Sequence, residues 1–323
     1  MDKIRIEVSA KVIGKVRLGD KAYLAQGTIV RSENDSVTIG NSSWVLENSV
    51  IIGTEKNPVK IGSKTVFGHK TVTIGAEIGD LCEIGNNTIF LPGSKVGDMC
   101  IFGEGTIVSE GMTIPSGSVA VGRPARVIRK LSQDDKDMVR RMRSGDISLD
   151  EFKENIFEFE RGESAMNNLY EVNGKVPKVG DSSYIDDRAE INGDVVIGDN
   201  SYIGSGVRII GNSHGPVKIG NQVTILENTV LHLLPDNELV IEDGVTIGPN
   251  STIHGTVIGK NSIVEAGSIV CDYSVLGENT LVKSGSLVKQ RDTFEKDEIV
   301  EGFPAKSIGK NKKTQEVPDW AAR

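Results

Sequence analysis

Residues 78–119 read IGDLCE IGNNTI FLPGSK VGDMCI FGEGTI VSEGMT IPSGSV when cut every six residues. Each block opens on a bulky apolar residue, often places glycine or a small group second, and usually a small residue fifth. An α-helix turns every 3.6 residues and cannot hold a period of six on one face. Short strands joined by tight turns can, with the first and fifth positions pointing inward. Three such strands make one coil of a triangular prism, so residues about 18 apart stack at roughly the 4.8 Å strand spacing. The composition agrees: glycine is abundant, at 37 residues, and aromatics are scarce at 5%. Glycine suits corners that need unusual dihedrals or close backbone approach.

The same rhythm returns at residues 258–287 as IGKNSI VEAGSI VCDYSV LGENTL VKSGSL, so the repeat decides the architecture. This hexapeptide pattern resembles the left-handed parallel β-helix family, an exception to right-handed crossovers. The resemblance covers about residues 10–126 and 179–306. From VTIG at Val37 and VKIG at Val217 the two arrays align at a constant offset of 180, through VGRPAR and EGFPAK. Upstream the offset is 179, because the second array has one extra residue near IIGNSHGP. The expected fold is therefore all-β, two left-handed parallel β-helix domains joined by an α-helical segment. The first domain spans 1–130, the helical segment and linker 131–178, and the second domain with a short tail 179–323. Within the segment, Ser132 and Ser148 have Asp135 and Glu151 at capping-box spacing, which predicts two helices serving as cap and tether.

A net charge of −8 argues against a general nucleic-acid binder. No apolar run is long enough to span a bilayer. The opening MDKIRIEVSAKV lacks the apolar core of a signal peptide, and the three cysteines read as reduced thiols, so the expected home is the cytoplasm. Cys82 and Cys100 occupy small inward positions, whereas Cys271 faces outward.

Two of the four histidines, His232 and His254, are 22 residues apart, each directly after an inward apolar residue. The blocks at Leu231, Ile241, Ile247 and Ile253 make three steps, one full coil. The two imidazoles therefore sit one above the other, close enough to share a tetrahedral ion at zinc–nitrogen distances of about 2.0–2.1 Å. Four additional residues in HLLPDNELVI form a loop beside them, with Asp236 and Glu238 as candidate proton carriers. His214 lies on the loop with the extra residue and reads as surface.

These histidines and VFGHKTV around His69 are similar to the γ-class carbonic anhydrases and their relatives. The resemblance implies zinc, or another divalent ion such as Fe2+ or Co2+, held by three histidines, two from one prism and the middle one from its neighbour. At those positions the second array has His232, Pro249 and His254, and the first has Ile52, His69 and Ile74. Each array is incomplete in a complementary way, so a second-array face packed on a first-array edge would complete one site from His69, His232 and His254. Ile52 and Ile74 are expected as exposed apolar residues on prism faces, which implies a homo-oligomer with trimer-like packing of prisms.

The implied substrate is carbon dioxide or bicarbonate. Arg31 and Glu33 stand where the family braces its interfaces. The family's glutamine that orients solvent is replaced by Leu46-Glu47-Asn48 and Leu226-Glu227-Asn228. Glu227, with Asp236, is the nearest candidate to fix an imidazole tautomer. The endings GRPARVIRK and GFPAKSIGK also suit a coenzyme A-dependent hexapeptide acyltransferase, and loss of ligands in each array suits a catalytically degenerate assembly scaffold.

Overall fold

A computed structural model describes residues 4–160, 164–211, 215–234, 237–312, 314 and 316–321. The chain divides into two compact units, Met1–Arg161 and Gly162–Arg323. Each is a left-handed parallel β-helix of very short strands, most only two or three residues long. Unit 2 has three sheets of seven, seven and eight strands, the three faces of a prism. In unit 1 one face has eight strands, and the other two are joined by the longer strand Lys11–Leu18, which bends at Gly14.

First-position residues such as Phe67, Phe90 and Val108 in unit 1, and Leu231, Ile253 and Val270 in unit 2, fill the interior. The fifth positions are buried and small: Cys82, Thr88, Ser94, Cys100 and Thr106. Two different requirements explain the remaining pattern. The fourth position of most blocks takes a left-handed φ, at Leu81, Asn87, Gly93, Met99 and Gly105 alike. The second-position glycine makes room for a side chain of the next coil: a Cβ on Gly79 would meet Asp98 Oδ1 at 2.4 Å. That third-position side chain accepts from the backbone of the coil before it, as in Asp80 N to Asp98 Oδ1 (2.9 Å) and Asp98 N to Ser116 Oγ (3.0 Å). Unit 2 repeats the ladder from Asp199 N to Asn221 Oδ1 and from Asn221 N to Asp243 Oδ1, both 2.8 Å.

The segment after the first array differs from expectation in its second half. Ser132 does cap a helix, Gln133–Met142, through a full capping box with Asp135. No helix follows Ser148. Its N–H and hydroxyl both donate to Asp146 Oδ1, and Asn155–Phe159 is instead a strand antiparallel to Lys11–Leu18. The physical reason is that this stretch has partners on the prism. Asn41 Nδ2 donates to the Glu151 carbonyl at 2.8 Å, and Phe157 packs against the interior cluster. Contacts at Lys64, then Asn41, then Leu18 show the segment running back coil by coil to the first turn. It is a strap along unit 1.

Ile52 and Ile74 are also not exposed: both are fully buried, and both lie outside the interior cluster. They are not the open apolar surface that their outward positions predict. Arg31 is buried, and Glu33 is exposed, with Oε2 accepting from the Glu55 N–H at 3.2 Å.

The strap is fastened by Arg143. Its Nε donates to the Lys64 carbonyl at 2.8 Å, and its guanidinium lies 2.6 Å from Glu83 Oε1, both side chains being nearly closed to water. Burial pushes the Glu83 carboxyl up, and the Arg143 charge pulls it back. Replacing Arg143 by Met is expected to cost about 3–5 kcal/mol at neutral pH, because it strands a buried carboxylate. A raised folded-state pKa gives stability that is full below the unfolded pKa and lost as pH rises through the folded one. The deficit of Arg143→Met should therefore narrow as pH falls from 7 toward 4, which urea unfolding at the two pH values checks.

Candidate metal-binding site

His232 and His254 follow the strands Val230–Leu231 and Thr252–Ile253, which pair in register Val230 to Thr252 and Leu231 to Ile253. The backbone confirms the step: His232 N donates to the Ile253 carbonyl and His254 N to the Val270 carbonyl. Both side chains thus leave the same face one coil apart. Their rings meet edge to face, centroids 6.0 Å apart. A zinc–nitrogen bond of about 2.0–2.1 Å puts a ring centroid roughly 3.2 Å from the metal, so two rings at this separation can reach one ion.

His69 follows the strand Val66–Phe67 in unit 1, on a different kind of face. It is a third-position residue, and its N–H donates to Asn86 Oδ1 at 2.7 Å, so the corner ladder fixes its backbone. One coil earlier, also third in its block, is Glu47, whose Oε2 lies 2.7 Å from His69 Nδ1. In unit 2 the same two positions are Glu227, fully buried, and Pro249. Glu227 is therefore the counterpart of Glu47 beside a proline, where no imidazole stands.

The carboxylate beside His254 is one the sequence reading missed. Asp272 Oδ2 lies 3.2 Å from His254 Nδ1. Asp272 Oδ1 accepts from Gly255 N (3.1 Å), Leu234 N (3.2 Å) and Asn237 Nδ2 (3.3 Å). Asp272 is third in its block, one coil beyond His254, and the ladder rule seen at Asp98 would have pointed to it. In neither imidazole pair does the ring N–H aim straight at the oxygen. His254 Nδ1 and Glu47 Oε2 are both closed to water without an aligned hydrogen bond. Both histidines nonetheless have a carboxylate at Nδ1, which favours the proton there and leaves Nε2 as the ligating atom. The donor set fits a divalent ion that takes neutral imidazoles. Among the described residues of one chain, no three His, Cys, Asp or Glu side chains gather as a metal-holding group.

Of the two expected proton carriers, Glu238 is exposed and its Oε2 lies 2.8 Å from Lys218 Nζ. Asp236, like His214, lies outside the described residues. Cys82 and Cys100 stack in the core, with Cys100 N donating to Cys82 Sγ at 3.4 Å. Burial, with Asp272 and Asp292 adding, pushes the Cys271 thiol up. No helix is long and apolar enough to cross a membrane among the described residues.

Two family descriptions match parts of the chain: "Bacterial transferase hexapeptide (six repeats)" over residues 177–211, and "Hexapeptide repeat of succinyl-transferase" over 58–90 and 238–271. A carbonic anhydrase of Geobacillus kaustophilus is 41% identical over 104 residues, 32% of this chain and 57% of that protein. The chain thus spans little more than half the length of that relative. A "Probable carbonic anhydrase" of Methanocaldococcus jannaschii is 36% identical over 132 residues, 41% of this chain and 83% of the relative. A crystal structure of a hexapeptide transferase family protein from Anaplasma phagocytophilum is 33% identical, covering 44% of this chain and 84% of that one, with a TM-score of 0.43.

The loop after His232 gives a direct check on this geometry. A Cβ on Gly255 would lie 2.2 Å from Asn237 Nδ2, which sits there to donate to the Gly255 carbonyl at 2.8 Å. Gly255→Ala should expel Asn237 and cost about 1–3 kcal/mol through overpacking. Hydrogen exchange should then show lost protection at the Leu234 amide, with the coils beyond Ile258 unchanged.

Proposed function

This chain belongs to the family of hexapeptide-repeat proteins that includes the γ-class-like carbonic anhydrases, and on that premise we propose that it is a metal-binding member whose single kind of site is shared between unlike units. His232 and His254 of the second array and His69 of the first are the ligands, each through Nε2. The observation that carries this reading is the pairing of one histidine from each array with a carboxylate at Nδ1: Glu47 beside His69 and Asp272 beside His254. A surface imidazole needs no such partner; a ligand imidazole does, because the partner sets its tautomer and raises its basicity.

The sheet bearing His69 also leaves Trp44 about half exposed, packed edge to face on Tyr23 at 5.9 Å. An aromatic of that size on a flat face supports burial against another prism in a homo-oligomer. When bound by three imidazoles, zinc supplies Lewis acidity and brings the pKa of water to about 7. The reaction we assign is reversible hydration of carbon dioxide. The chain's part is to hold three neutral imidazoles, exclude bulk water at the packed faces, and pass the released proton outward through Asp236 and Glu238. Leu226 replaces the family's glutamine and is fully buried, so it cannot orient solvent; hydration is expected to be slow for that reason.

Coenzyme A-dependent acyl transfer is the second reading, favoured by the Gly-x-Pro-Ala turns at 122–125 and 302–305 and by the transferase repeat descriptions. The two readings separate on one set of variants. His69→Ala, His232→Ala and His254→Ala should each reduce zinc content, measured by elemental analysis after loading and desalting, to under about a tenth of the parent. Full zinc retention in His69→Ala overturns the shared site. Zinc bound without carbon dioxide hydration in a stopped-flow indicator assay removes the hydratase activity and leaves the metal site. Light scattering that finds monomer at micromolar concentration removes the shared packing.

A further inference from the structure

Asp272 joins parts of the second array that no repeat position requires it to join. Its Oδ1 collects the N–H of Gly255, the residue after His254, and the N–H of Leu234, two residues after His232. It also takes one proton of the Asn237 amide, whose Nδ2 donates to the Gly255 carbonyl as well. At Asp98 in the corner ladder one side-chain oxygen accepts a single backbone N–H, that of Asp80. With Oδ1 occupied three ways, Oδ2 is left to face His254 Nδ1 at 3.2 Å. That nitrogen is closed to water and has no aligned acceptor, so a modest turn of the ring onto Oδ2 satisfies it.

We infer that Asp272 is a positioning residue that clamps both histidine-bearing arms and sets His254 as the tautomer with its proton on Nδ1 and Nε2 free. This rests on the metal-site reading for its purpose, though not for its geometry. The two oxygens divide the work: Oδ1 holds the loop after His232 against the coil of His254, and Oδ2 orders the imidazole. Removing the charge without changing the shape should separate the two roles. In Asp272→Asn the side-chain carbonyl keeps the three N–H donors, and the amide then faces His254 Nδ1 as a donor. The imidazole answers by moving its proton to Nε2, the tautomer that cannot bind a metal through Nε2 without losing that proton.

The test uses full-length protein stripped with a chelator and labelled with 15N-histidine, at a pH where the imidazoles are neutral. Nitrogen–proton correlation spectra of the parent, assigned by His254→Ala, should show His254 protonated at Nδ1. Asp272→Asn should show it protonated at Nε2, with the Leu234 amide still protected from exchange. Asp272→Ala should lose that protection as well. Titration with Zn2+ alone against a chromophoric chelator should show roughly 10- to 100-fold weaker binding in Asp272→Asn. Parent protein with His254 protonated at Nε2, or Asp272→Asn with an unchanged tautomer, overturns the inference. If the parent takes up no zinc, the metal-site reading fails, and the tautomer spectra still decide the role of Asp272.

Discussion

A coil closes in three short strands only if the backbone reverses its twist at each corner, and that demand falls on one residue per block. The left-handed φ at the fourth position occurs at glycines, asparagines, lysines, Leu81 and Met99 without distinction. For a residue with a Cβ this conformation is costly, on the order of 1 kcal/mol each. It is tolerated because neighbouring corners hydrogen-bond to one another along the prism and leave no other arrangement. Once the corners are fixed, every other position has a direction. The first and fifth fill the core, the second must be small where the next coil presses on it, and the third points along the prism edge toward its equivalents.

The chemistry inherits that geometry. Second-position residues one coil apart form a pair on a face, which is how His232 and His254 come within ring contact. Third-position residues one coil apart form a column at a corner, which is how Glu47 reaches His69 and Asp272 reaches His254 and its neighbour. The proposed site therefore draws its histidine pair from a face, and His69 and the supporting carboxylates from corners, with no long loop needed to bring them together.

Much of this could be read in the sequence because periodicity survives without knowledge of the third dimension. The six-residue rhythm, the duplicated arrays and the stacking of His232 on His254 follow from counting. What could not be counted was missed. Leu81 and Met99 give no sign of a left-handed backbone, since their conformation is imposed by the stack. The residues 155–159, NIFEF, lie beyond a serine with capping spacing, and only the free edge of Lys11–Leu18 makes them a strand. Ile52 and Ile74 are outward by their position in the block and still buried, a matter of packing beyond the repeat. Asp272 was hidden in plain text: it stands 18 residues after His254, in a ladder whose rule becomes visible only from the bonds at Asp98 and Ser116.

The strap of unit 1 changes how that unit comes apart. A stack in which each coil touches only its neighbours behaves as a one-dimensional chain and frays from its ends. Residues 143–159 tie the middle coils to the first one, so that part of the stack is bound across several coils at once. Unit 2 finishes in the hairpin Glu298–Gly302 and Ala305–Lys310, and among the described residues no strand returns along its coils. The strapped coils of the first array are thereby expected to open together, while the second, which carries the histidine pair near its middle, can peel inward from its last coil and keep His232 stacked on His254 until late.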